Sequence, residues 1–132
     1  MNRSLLGLKV VLRCANLDAS RAFYTDVLGL HVTEQWEENE GRGLIVSVGD
    51  EAPGAFIEVY EMSPDDRRFD TRFREPVVSD KLDLQLRTSS LEYWVAHLRG
   101  RWPFQGPEVL PWGQSWIKLR DPDGLLIAIY SE

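Results

Sequence analysis

The chain has 132 residues, 43% hydrophobic and 27% charged, with a formal net charge of −6 and a single cysteine. At this size roughly two thirds of the unfolded surface can be buried, so an ordinary folded domain is expected and neither disorder nor a disulfide-stapled miniprotein fits. The acidic balance argues against nucleic acid as a partner, and the lone Cys14 excludes an internal disulfide and a cysteine zinc cage and suits a reducing cytoplasm.

In chain order, the opening stretch MNRSLLGLKVVLRC is too short and interrupted to read as a secretory leader, and no apolar run approaches the ~20 residues of a membrane span. Leu8 to Cys14 then alternates, with Leu8, Val10, Leu12 and Cys14 on one face and Lys9, Val11 and Arg13 on the other. This predicts a strand that buries one side. Asn16 is a good N-cap for a helix over Leu17 to Leu28, closed by Gly29. Strand patterns follow at His31 to Glu37, Gly43 to Val48 and Gly54 to Tyr60. The polar, charged stretch from Ser63 to Ser79, bounded by prolines, reads as a linker, either a flap or a dimer contact. Leu82 to Thr88 is a second alternating strand, and Ser90 caps a helix over Leu91 to Leu98 that Gly100 closes. Glu108 to Trp112, Trp116 to Leu119 and Gly124 to Tyr130 complete the strands.

This order contains a repeat. Shifting Leu8 onto Leu82 also superposes Leu12-Arg13 on Leu86-Arg87, Asn16-Leu17-Asp18 on Ser90-Leu91-Glu92, and Ala22 on Ala96. Gly54-Ala55-Phe56-Ile57-Glu58-Val59-Tyr60 likewise matches Gly124-Leu125-Leu126-Ile127-Ala128-Ile129-Tyr130 at nearly the same offset. Each half therefore reads as strand, helix, three strands. One helix cannot cover the apolar face of a ~60-residue half well enough for independence, so the halves should pair, within the chain or across a dimer. The expected organisation is one domain over residues 1–132, with module one at about 5–62, a linker at about 63–80 and module two at about 81–131.

A duplicated strand–helix–three-strand unit with Asn16-Leu17-Asp18-Ala19-Ser20-Arg21-Ala22-Phe23-Tyr24, Val27-Leu28-Gly29-Leu30, Pro111-Trp112-Gly113 and Leu119-Arg120-Asp121-Pro122-Asp123-Gly124 resembles the vicinal oxygen chelate superfamily. That group holds glyoxalases, bleomycin-resistance proteins and extradiol dioxygenases. The resemblance runs from about Leu8 to Tyr130. It implies an α+β fold, two βαβββ modules forming a curved mixed sheet around a cavity with helices on the convex side. It also implies a homodimer and four metal-ligand positions, which fall here on Lys9, Glu58, Asp83 and Ala128.

Three of those four, Lys9, Asp83 and Ala128, depart from the family's usual imidazoles, glutamines and glutamates, while Glu58 matches. Lysine is a cation with no acceptor, and alanine has no donor atom. Glu58 and Asp83 alone supply two hard oxygen ligands, too few for a tight nickel, zinc or iron site. His31, at the start of an outer strand, and His97, on the second helix, do not replace the missing ligands. The expected cofactor set is therefore none. Lys9 is expected to stand beside Glu58 and Asp83 as the local positive charge, either as part of a ligand site or simply neutralising its neighbours.

On this reading the ligand-facing residues are Lys9, Phe56, Glu58, Tyr60, Asp83, Gln85, Trp112, Trp116 and Tyr130, with tryptophan supplying a rigid stacking surface. Arg13 and Arg87, equivalent by the repeat, are read as ties from strand to helix or to nearby acids. Trp94 and Trp102 are read as core or interface residues. The acidic run Glu34, Glu37, Glu38 and Glu40 either attracts a polycationic drug or blunts a sheet edge. Two functions remain open. One is a metal-independent small-molecule binder of the bleomycin-resistance kind, a drug sequesterer. The other is a glyoxalase-like lyase or isomerase in which Glu58 is the base and Lys9 stabilises a developing enolate. The expected partners are a small molecule and a second copy of the chain, with no nucleic acid and no membrane.

Overall fold

The computed structural model describes residues 4–49 and 54–132, so the first three residues of the stretch weighed as a leader lie outside the described residues. The chain divides into two compact units, Met1–Glu75 and Pro76–Glu132, and the boundary falls inside the segment expected as a linker.

In unit one, β1 (Leu8–Arg13) leads into α1 (Leu17–Arg21), followed by β2 (His31–Glu38), β3 (Gly41–Val48) and β4 (Ala55–Met62). Unit two repeats the order with β5 (Asp83–Arg87), α2 (Leu91–Leu98), β6 (Gln105–Val109), β7 (Ser115–Arg120) and β8 (Leu126–Ser131). The sheets run β1-β4-β3-β2 and β5-β8-β7-β6, four strands each, with one parallel pair per sheet. The protein is α+β, two open four-stranded mixed sheets with few helices.

Strand pairing verifies the repeat independently of residue identity. β1 pairs with β4 as Lys9↔Phe56, Val11↔Glu58 and Arg13↔Tyr60. β5 pairs with β8 as Asp83↔Leu126, Gln85↔Ala128 and Arg87↔Tyr130. These are the same pairs under the two offsets read from the sequence.

Both helix starts form as the caps require. The Asn16 side chain accepts from the Ala19 N–H and the Ser90 hydroxyl accepts from the Tyr93 N–H, each at 3.2 Å. The first helix does not stay α-helical. From Ala22 to Val27 it widens into a π-helical turn, in which the Leu28 N–H donates to the Phe23 carbonyl five residues back, and the Thr25 hydroxyl donates to the Arg21 carbonyl. Consecutive Phe23 and Tyr24 are both buried there, ring edge to ring face with centroids 5.0 Å apart. Gly29 and Gly100 end the two helical segments with φ of 67° and 81°.

The apolar alternation fills one face of each sheet. Leu17, Phe23, Leu44, Val46, Ile57 and Val59 are buried in unit one, and Leu98, Ile117, Leu119, Ile127 and Ile129 in unit two. Two expectations need correction. Leu8 and Leu82, assigned to buried faces, are 63% and 60% exposed: Leu8 begins the edge strand β1 and Leu82 lies just before the edge strand β5, while the helices lie over β3 and β4, and over β7 and β8. The strand expected at Glu108 to Trp112 lies at Gln105–Val109 instead. Leu110 to Gln114 forms a tight turn, in which the Leu110 N–H donates to Gln114 and the Gly113 N–H donates back to Leu110, with Gly113 at φ 97°.

The segment after β4 is folded. A 3₁₀ turn at Thr71–Arg74 is capped by Asp70, and the Arg74 guanidinium donates to the carbonyls of Ala15 and Met62 at 2.8 and 3.3 Å.

Candidate functional site

Each sheet leaves one face without a helix, and the strand registers fix which side chains share it. In unit one that face carries Lys9, Val11 and Arg13 from β1, Phe56, Glu58 and Tyr60 from β4, and Trp36 from β2. The Lys9 ammonium lies 3.0 Å from Glu58 Oε1, with the Glu58 side chain 14% exposed and that of Lys9 47%. The expected contact between these two groups is therefore present.

A cross-strand row next to this pair runs Trp36, Gly43, Tyr60 and Arg13. Gly43 carries the argument here: a Cβ built on it would fall 2.6 Å from a Trp36 ring atom and 2.7 Å from the Val59 carbonyl. With no side chain at that position, the Trp36 ring lies over the glycine, its centroid 6.0 Å from that of Tyr60. The Tyr60 hydroxyl donates to the Glu40 carbonyl at 3.3 Å, and the Arg13 guanidinium sits over the Phe73 ring at 5.8 Å.

Arg42 and Glu61 are a feature the sequence reading missed. Glu61 accepts the Leu17 N–H at 2.7 Å at the start of α1 and pairs with Arg42 at 3.1 Å, and Arg42 also reaches Asp18 at 3.4 Å. The hydrogen bond to Glu61, more than its charge, holds the Arg42 guanidinium above its ordinary range. This network anchors the helix start to β4, a tie that no local sequence pattern announces.

In unit two the helix-free face carries Asp83, Gln85 and Arg87 from β5, Leu126, Ala128 and Tyr130 from β8, and Trp116, Lys118 and Arg120 from β7. Gln85 donates to Asp83 at 3.1 Å, and the Arg87 guanidinium lies 4.0 Å from Glu132. The Trp116 indole N–H donates to Glu108 at 3.1 Å, and its ring lies 4.3 Å beneath the Lys118 ammonium. Trp112 sits in the turn between β6 and β7, 67% exposed, its indole donating to Gln114.

A cavity of about 440 Å³ opens on this face, lined by Trp102, Pro103 and Phe104 of the α2–β6 connection together with Gln105, Lys118, Leu119, Arg120 and Leu126. Trp102, read from sequence as core or interface, forms one of its walls, fixed by donation of its indole N–H to the Arg120 carbonyl at 2.8 Å. Arg120 binds Asp80 in a two-pronged pair at 2.8 and 2.9 Å. Those hydrogen bonds hold the Asp80 carboxyl below the usual carboxylate range, and the charge of Lys118 acts in the same direction.

The turn before β8 explains the Leu-Arg-Asp-Pro-Asp-Gly run. Asp121 is buried and accepts the N–H groups of Asp123 and Leu125, each at 2.9 Å, while Gly124 takes φ 91°. This turn delivers Leu126 and Ala128 to the helix-free face.

The four family ligand positions do not form a donor set. Lys9 is engaged with Glu58, and Ala128 is buried with only a methyl group to offer. Among the described residues no three His, Cys, Asp or Glu side chains converge. His31 begins the outer strand β2, and His97 stacks on Tyr93 of its own helix with centroids 5.6 Å apart. The residues present do not fit the family's metal. The acidic run lies on β2 and its turn, and β2 carries a register irregularity between Val32 and Glu34, an arrangement that blunts a sheet edge.

Duplicated βαβββ units with matched registers and one helix-free, charge-and-aromatic-lined face per unit define a protein built from two copies of one module. The chain belongs to the Glyoxalase/Bleomycin resistance protein/Dioxygenase superfamily, whose model matches residues 8–129. Among solved structures it is similar to TnmS3, an antibiotic binding protein from Streptomyces sp. CB03234, at 21% identity and a TM-score of 0.67, covering 99% of this chain and 98% of that one. A superfamily member from Sphaerobacter thermophilus DSM 20745 matches at 22% identity and TM-score 0.71, and UcmS2 at 23% and 0.76, each covering 98% of both chains. At these identities the likeness establishes the fold. No curated protein matches the sequence at a significant level. Among the described residues no helix is long and apolar enough to cross a membrane.

Proposed function

We propose that this protein binds a small molecule without a metal, in the manner of a drug-sequestering member of its superfamily. The carrying observation is the Lys9–Glu58 ion pair at 3.0 Å on the helix-free face of unit one. An ammonium held where the family resemblance places a metal ligand supplies a positive charge beside the apolar and aromatic side chains of Val11, Phe56 and Tyr60. The ligand-contacting set in this reading is Lys9, Phe56, Glu58 and Tyr60 of unit one and Asp83, Gln85, Trp112, Trp116 and Tyr130 of unit two. The antibiotic-binding activity named for TnmS3 supports the same class of function. Action as a cytoplasmic homodimer belongs to this reading too.

Proton abstraction by Glu58, with Lys9 stabilising an enolate, is the alternative. It requires the two groups to separate around a bound carbonyl, whereas here they contact each other directly, which favours binding over turnover. The test is a tryptophan-fluorescence titration with cationic glycopeptide drugs and with small carboxylates, on the wild type and on Lys9→Met, alongside elemental analysis of the purified protein. Ligand binding that Lys9→Met abolishes supports the reading. Unchanged affinity for every one of these ligands in that variant refutes the part assigned to Lys9, stoichiometric nickel, zinc, iron or manganese in the protein refutes metal-free binding, and absence of binding to all of them refutes the reading as a whole.

A further inference from the structure

The two units keep one register but differ in charge, and the difference isolates a cation. Across the centre of unit one the row is Val11, Glu58 and Ile45. The equivalent row of unit two is Gln85, Ala128 and Lys118. Directly paired residues on one face stand about 5 Å apart. A carboxylate at position 128, where unit one has Glu58, would therefore stand next to Lys118. Alanine is there instead.

Among the described residues no carboxylate lies within ion-pair distance of Lys118, and its ammonium rests on the Trp116 ring at 4.3 Å. The other cation on this face, Arg120, is already gripped by Asp80 through both terminal nitrogens and donates to the Gly124 carbonyl as well. Asp80 is thus matched by Arg120, and Lys118 is left in excess. Beside it lies the 440 Å³ cavity with Trp102, Phe104 and Leu126 as apolar walls. That volume falls within the ~300–1,000 Å³ of typical small-molecule sites.

We infer that this cavity is an anion-selective subsite, taking a small aromatic molecule with a single acidic group, its ring system against Trp102 and Phe104 and its anion on Lys118. Lysine suits this role as a point charge on a flexible stem that can leave the Trp116 ring for an incoming anion without breaking a salt bridge. The inference rests on the reading that this protein binds small molecules and adds to the Lys9 face of unit one a separate subsite, on unit two, for an acidic ligand class.

The probes are 8-anilinonaphthalene-1-sulfonate and its uncharged counterpart N-phenyl-1-naphthylamine, titrated by fluorescence against folded protein whose melting curve is recorded for every variant. The wild type should bind the sulfonate saturably at one site per chain. Lys118→Met, and Lys118→Gln as a polar check, should weaken the sulfonate at least tenfold while changing the uncharged probe less than threefold. The Trp102 indole N–H resonance, assigned with Trp102→Phe, should shift on titration. Equal loss of both probes in folded Lys118 variants, or sulfonate affinity that Lys118→Met leaves intact, overturns the inference. If Lys9→Met abolishes sulfonate binding and Lys118→Met does not, the anion site is at Lys9. The cavity assignment then fails while the small-molecule reading survives. If the wild type binds neither probe, and none of the drugs or carboxylates tested above, both fail together.

Discussion

Replacing one partner of the Lys9–Glu58 pair at a time should have unequal effects on stability. Unit charges 3.0 Å apart attract by about 1.4 kcal/mol in bulk water and by about 5.5 kcal/mol at an effective dielectric of ~20. The Lys9 side chain is 47% exposed, so the net coupling should sit near the lower figure, about 1 kcal/mol. The Glu58 side chain is only 14% exposed. In Lys9→Met its carboxylate keeps its burial and loses its counter-charge, which should cost about 1–3 kcal/mol. In Glu58→Gln the half-exposed ammonium can turn to water, so the loss should be about 0–1 kcal/mol. The double variant should recover part of the Lys9→Met loss, giving a coupling of about 1 kcal/mol that shrinks at high salt. Urea denaturation of the four proteins, with slopes compared for constancy, measures all of these terms. Equal losses in the two single variants, or a coupling indistinguishable from zero at low salt, would refute the picture of a buried carboxylate held by a mobile ammonium.

Asp121→Ala removes the acceptor of two buried N–H groups and should destabilise the protein by about 2–4 kcal/mol, with Asp121→Asn losing less; a urea series on both variants checks the order. Gly43→Ala forces a Cβ into the Val59 carbonyl and the Trp36 ring, so it should cost about 1–3 kcal/mol and alter Trp36 emission, read by melting and fluorescence together. Asp66 and Asp70 are held at about 2, first by hydrogen bonds from the side chains of Arg68 and Arg72 and then by bonds from their backbone N–H groups. Because the folded values lie below the ordinary 3.8, their contribution is full above about pH 4 and is lost as pH falls toward 2. Asp66→Asn combined with Asp70→Asn should therefore flatten the melting-temperature profile between those limits, and an unchanged acid limb would show that the segment after β4 contributes nothing there.

The repeat was legible because it is written twice in a form that survives substitution: an alternating strand, a capping Asn16 or Ser90, and a glycine-led strand ending at Tyr60 or Tyr130. Ile57, Val59, Ile127 and Ile129 are buried on the face that this alternation assigns to the core. The sequence reading failed where structure depends on groups distant in the chain or on an absent pattern. β6 is exposed throughout and carries Pro107, which an edge strand tolerates. It offers no alternation, and the apparent strand slid forward onto a turn. Leu8 and Leu82 alternate correctly yet stay exposed, because what covers a strand face depends on where the helix lands. The contact of Lys9 with Glu58 was foreseeable from the family resemblance, which places both at ligand positions. The cavity wall at Trp102 and Phe104 was not, since it comes from a connection whose path only the fold determines.

Duplication gives each unit the same backbone frame, so differences between equivalent rows must come from side chains. At the centre of unit one the charge is a carboxylate on β4, answered by Lys9 two residues from its register partner Val11. At the centre of unit two the carboxylate is gone, the cation has moved to β7, and Asp83 at the Lys9 position is engaged by Gln85. These copies carry opposite charges at their centres: Glu58 of unit one is paired with Lys9, whereas among the described residues Lys118 of unit two meets no carboxylate. Within unit two, Lys118, resting on the Trp116 ring beside the cavity, is the cation that the proposed acidic ligand would meet.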